Sequence, residues 1–186
     1  MTLSRTLLSM RTPRMVSCTA VLTSLVLFLA ACGGGATPQV WASEVCQALG
    51  PWRTEISTLT ARAQQQMSAE TTPTAAKENL ARLFEGAKDA SETARAGVEA
   101  AGVPDVDDGE KVAQGFLISL SGVRDAYDKA LQGIQALDTS QAGAFYSGVE
   151  QVVTTLDSEY DKTALDTSSL QSEELREAFD QVPECR

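Results

Sequence analysis

VAQGFLISLSGVRDAYDKALQGIQAL, residues 112–137, carries two stripes of side chains at once. Val112, Phe116, Leu120, Val123, Tyr127, Leu131, Ile134 and Leu137 recur at intervals of three and four, the period of one amphipathic helix. Beside them Gly115, Ser119, Gly122, Ala126, Ala130 and Gly133 are spaced 4, 3, 4, 4 and 3, which puts small residues on an adjoining face. A glycine inside a helix costs about 1 kcal/mol against alanine, so an offsetting gain is expected. Two gains fit: a neighbouring helix packed very closely, or a groove for an apolar ligand or partner helix.

The same period continues on both sides. Trp41, Val45, Leu49, Trp52, Ile56, Leu59, Ala63 and Met67 predict one helix over 39–68, kinked at Gly50-Pro51, where proline removes a hydrogen bond. Ala76, Leu80, Leu83, Phe84, Ala87, Ala94, Val98 and Ala101 predict a second over 74–101, stopped by Gly102. Its half from Gly86 onward is lean, with Val98 the one large apolar residue, and Trp41 and Trp52 are the bulky groups available to fill the space opposite. Asp107 and Glu110 have the spacing of a capping box at the start of the third helix. Asp138-Thr139-Ser140 precedes a fourth running to about 165, and a short fifth spans 172–181. No segment alternates with period two. The expected fold is all-α, an up-down-up-down four-helix bundle with a short C-terminal fifth helix, over residues 39–186.

The first 31 residues read differently. Arg5, Arg11 and Arg14 precede the apolar run Val16–Ala31, which is too short to span a bilayer as a helix and fits a secretory signal. Leu29-Ala30-Ala31-Cys32 resembles a bacterial lipobox, in which the cysteine is diacylated and the signal cut just before it. Lipidation is therefore expected on Cys32, and residues 32–38 are expected to form a flexible tether. Two acyl chains are what stable anchoring needs. Cys18 leaves with the signal and Cys32 takes lipid, so Cys46 and Cys185 remain to pair as a disulfide outside the cytoplasm. The three signal arginines depart with no acidic residue, leaving 12 basic against 25 acidic side chains and a net charge of −13. Such a surface repels nucleic acid and anionic lipid, so the acyl chains must provide the membrane contact. With the tether leading into the first helix, the 102–108 loop and the disulfide are expected near the membrane, and the 69–73 and 138–140 turns away from it.

Chemistry is hard to place on this chain. It has no histidine, which removes the commonest general base and the usual zinc and di-iron ligand sets. Gly97 and Gly102 have P-loop spacing, but Val103 stands where lysine is required. From Asp105 the acidic loop places its glycine one position early for an EF-hand, and Phe116 falls where the closing glutamate belongs. No enzyme activity, cofactor or metal is expected, and no catalytic residue is assigned.

Trp41-Ala42-Ser43-Glu44-Val45-Cys46, Val106-Asp107-Asp108-Gly109-Glu110 and Pro183-Glu184-Cys185 together resemble small secreted proteins and lipoproteins of actinobacteria. That resemblance implies an extracytoplasmic setting at the cell membrane of a Gram-positive envelope. It transfers no activity. The expected function is a lipid-anchored, non-enzymatic binding or scaffolding module with an envelope protein as partner. The alternative is a carrier or sensor of a small hydrophobic ligand, bound on the helix 2/helix 3 side over the small stripe.

Overall fold

The computed structural model describes residues 35–68, 70–163 and 172–186. The signal expected over 1–31, the expected lipidation site Cys32 and the last two residues expected in the fourth helix lie outside them. Among the described residues five α-helices follow in order: α1 Pro38–Gln65, α2 Pro73–Ala101, α3 Gly109–Ala136, α4 Ala142–Thr163 and α5 Glu173–Gln181, with a 3-10 turn at Pro183–Cys185. No strand forms among the described residues. None of their helices is long and apolar enough to cross a membrane.

The helix starts obey local rules. Pro38 and Pro73 occupy first-turn positions, where a missing N–H costs nothing, behind the capping hydroxyls of Thr37 and Thr72. Ser172 caps α5 in the same way. α3 departs from expectation. Its N-cap is Asp108, in the left-handed region at φ 58, with no side-chain capping bond, so the box between Asp107 and Glu110 does not form. The Asp108 carboxylate is instead taken by Lys111 Nζ at 2.7 Å. Asp138 also works one step back from its helix, accepting from Ser140 N at 2.8 Å, while α4 begins at Ala142. α1 continues through Pro51 as one helix.

α1 packs on α2, α2 on α3 and α3 on α4, and α5 returns to α1. Two of the core clusters of the helical bundle join its long helices. One joins Trp41 and Val45 of α1, Ala94, Val98 and Ala101 of α2, Ala113, Phe116 and Leu120 of α3, and Leu175 of α5. The other joins Phe84 of α2 to Ala130, Leu131 and Ile134 of α3, with Val149, Val152 and Leu156 of α4 half-buried against it. α5 thus closes the first cluster and α4 covers the second.

Trp41 is the keystone of the first cluster. It is fully buried, stands edge-on to Phe116 and Phe179 at 5.3 and 5.9 Å, and donates Nε1–H to Gly102 O at 3.0 Å. Gly102 has φ 71 and ψ −141, backbone that is essentially restricted to glycine, which explains why α2 stops there. Close by, Ala36 exchanges backbone bonds with the same loop, Ala36 N to Val103 O at 3.0 Å and Asp105 N to Ala36 O at 2.8 Å. The segment expected to be a tether over 32–38 is therefore held from Ala36 onward, because paired backbone groups replace water there. Cys46 and Cys185 form the expected disulfide, Cα atoms 5.0 Å apart. At the opposite end Tyr146 donates to Thr71 O at 3.0 Å and Lys77 to Leu137 O at 2.7 Å. The 70–72 and 137–141 turns share that end, away from the 102–108 loop.

Candidate functional site

The small stripe of α3 faces α4. A Cβ on Gly122 would overlap Thr163 Cγ2 and lie 2.9 Å from Thr163 Cβ, and one on Gly133 would lie 2.8 Å from Val152 Cγ2. Ser119 Oγ donates to Thr163 O, and Ala126 and Ala130 are buried. Gly115 is half-buried. The lean half of α2 faces elsewhere: a Cβ on Gly97 would lie 2.7 Å from Ala48 Cβ and one on Gly86 2.9 Å from Leu59 Cδ1, both on α1. The lean half of α2 and the small stripe of α3 therefore do not face each other. Each small face admits the next helix in the bundle, which is the close-packing gain that offsets its glycines.

The tryptophans fill space over α2, as expected, and Trp41 also reaches Phe116 of α3 and Phe179 of α5. Trp52 Nε1 donates to Ser91 Oγ at 3.0 Å, and Ser91, fully buried, donates in turn to Ala87 O at 2.8 Å. Asn79, also buried, donates to Ala63 O at 2.9 Å. These two polar joints fasten α1 to α2 and were not foreseen from sequence. Trp52 in a helical interface needs an acceptor, and Ser91 is the hydroxyl that spacing puts within reach.

α4 does not seal the stripe completely. Between α3 and α4 runs an open cavity of about 290 Å³, floored by Ala126, Ala130 and Gly133 and walled by Gly148, Val152 and Leu156. Its mouth is polar, where Lys129 Nζ meets Glu159 Oε1 at 3.1 Å. Bonds from Lys129 and then Lys162 hold the Glu159 carboxyl below the usual range, so it is a weak base. Behind α4, the Tyr127 phenol is pushed up to about 12, chiefly by burial, and packs edge-on to Tyr160 at 6.4 Å. The groove thus offers apolar contact and a neutralised rim, without an activated nucleophile or base.

Glu92 on α2 accepts from Arg95 Nη2 and from Arg124 Nη1 of α3, each at 2.8 Å, joining two helices through one carboxylate. These bonds, Arg95 first and then Arg124, hold the Glu92 carboxyl down to about 2 from 4.5. A lowered folded value means the contribution is present above the ordinary carboxylate range and lost as pH falls toward 2. Glu92→Gln should therefore flatten part of the fall in urea midpoint between pH 5 and pH 2. An unchanged acid slope would show the carboxylate contributes nothing, as exposed pairs often do. In the 105–110 loop the carboxylates do not converge: among the described residues no three such groups could hold a metal ion together.

The stripe carries a further expectation. Gly122→Leu should drive a branched side chain into Thr163 and cost about 1–3 kcal/mol, lowering the melting temperature by several degrees. A variant that melts no lower than wild type would mean α4 does not bear on Gly122. Compared with known proteins, the chain matches no family model, no curated protein and no solved structure.

Proposed function

We propose that this chain is a lipid-anchored protein of the cell envelope whose helical domain binds or scaffolds a partner protein rather than catalysing a reaction. The reading rests on the lipobox-like Leu29–Cys32 behind a short apolar signal, with a disulfide in the domain that follows. The net charge of −13 expected after cleavage supports attachment by acyl chains and argues against a basic membrane contact. The four long helices are read as up-down-up-down, supported by chain-order packing and by turns at alternating ends. Under this reading the Ala36–Pro104 end lies toward the membrane and the Thr71–Tyr146 end reaches outward. Cys32→Ser should abolish incorporation of a fatty-acid analogue and release protein to the medium. A serine variant that still takes up lipid and stays bound would overturn the anchor.

The cavity between α3 and α4, floored by Ala126, Ala130 and Gly133 of the small stripe, supports a second reading, carriage of a small hydrophobic molecule. Its volume of about 290 Å³ lies at the lower edge of ligand sites, which run from about 300 to 1,000 Å³. Titration with neutral N-phenyl-1-naphthylamine distinguishes the two. Saturable one-to-one binding, lost on Thr155→Trp at the exposed mouth, would favour the carrier. Absence of saturable binding would leave the protein-binding module.

A further inference from the structure

We propose that α4 opens from the bundle as one unit, while α1, α2, α3 and α5 stay closed around the first core cluster.

Three independent observations meet on this helix. Burial is the first. α3, with 28 residues, buries nine of them, whereas α4, with 22, buries Phe145 alone. Val149, Val152 and Leu156 reach the second cluster only half-buried, and Val153 is 38% exposed. The second observation is the interface itself. Where α4 lies on Ala126, Ala130 and Gly133, the cavity leaves side chains without atoms opposite them, and dispersion contacts are lost there. The polar contacts it makes are confined to its ends and rim: Ser119 Oγ donates to Thr163 O at the last residue of α4, Lys129–Glu159 is a solvent-exposed pair, weak in water, and Tyr146 reaches a turn carbonyl.

The third observation is that the first core cluster contains no residue of α4. Leu175 and Ala178 of α5 are fully buried, Phe179 stacks on Phe116 at 6.1 Å, and Cys185 is bonded to Cys46. α5 therefore closes the first cluster by its own contacts and by a covalent link. Segments with few buried apolar contacts open below the global unfolding free energy, often as whole helices. α4 meets that description, and α5, though shorter, does not. Opening withdraws Phe145 and uncovers the Gly122–Gly133 stripe.

Hydrogen exchange of the full chain, resolved by peptide, tests this. Amides of α4 should exchange together, at least about ten-fold faster than those of α2 and α3. A lock makes the test specific. A Cβ on Gly133 would lie 3.8 Å from Val152 Cβ, within the spacing a disulfide needs. In the oxidised Gly133→Cys, Val152→Cys protein, α4 should slow to the rate of α3, while either single variant stays fast. Wild-type α4 amides as slow as those of α3 would overturn the proposal, whether or not the lock forms. So would a locked protein whose α4 still exchanges at the wild-type rate.

Discussion

Replacing Cys46 and Cys185 by alanine should destabilise the protein by on the order of 5 kcal/mol, the largest effect expected of any change considered. The bridge joins residues 139 apart in sequence. In the chain-entropy model, closing a loop of that length removes about 5 kcal/mol of disorder from the unfolded chain. The native side adds to this. Ala42 of α1, Ala178 of α5 and Val182 form a buried cluster with Cys185 against it, so the bridge holds a packed C-terminal segment in register. Without it, α5 must dock by Leu175, Ala178 and Phe179 alone, and these come from a helix of nine residues. Urea unfolding of the double alanine variant, followed by circular dichroism, measures the loss. A midpoint unchanged from wild type would mean that the unfolded chain is already compact enough for the crosslink not to matter.

Trp41→Ala should follow at about 3–5 kcal/mol, the usual range for deleting a buried aromatic. Its ring touches the aromatic side chains of α3 and α5, and its indole N–H satisfies the carbonyl of the glycine that ends α2. One side chain thus ties α1 to three neighbouring segments. Trp41→Phe separates the contributions. It keeps most of the apolar contact and loses the bond to Gly102 O, so a smaller cost of about 1–2 kcal/mol is expected from the orphaned carbonyl and the missing volume. The two variants should rank alanine below phenylalanine below wild type in urea midpoint. Equal midpoints for the two variants would assign the whole effect to the hydrogen bond and refute the packing argument.

Much of this was legible before any coordinates. Spacing of apolar residues located the long helices to within three residues at the boundaries described, because the 3.6-residue period is a property of each segment by itself. Gly102 could be read as a stop because the chain there needs backbone that only glycine adopts without strain. The disulfide followed from counting cysteines. Capping at α3 was misread, since the spacing of Asp107 and Glu110 cannot reveal that Asp108 takes the left-handed turn and gives its carboxylate to Lys111.

The Gly122–Gly133 stripe marks the boundary between the two kinds of knowledge. Its sequence determines that small residues share one helix face, and the cost of interior glycines implies that something must come close. Which helix comes close is decided elsewhere. The lean faces of α2 and α3 look equally suited to meet each other, yet Gly97 receives Ala48 of α1 and Gly133 receives Val152 of α4. The reason lies in how the bulky faces are satisfied. Phe84, Leu131 and Ile134 pack α2 against α3 in one half of the bundle, and Val98, Phe116 and Leu120 do so in the other. With α2 and α3 joined through their large side chains, their small faces turn outward to the flanking helices. Periodicity is local to one helix, but the pairing of faces minimises exposed apolar surface over the whole chain, so only the tertiary structure could decide it.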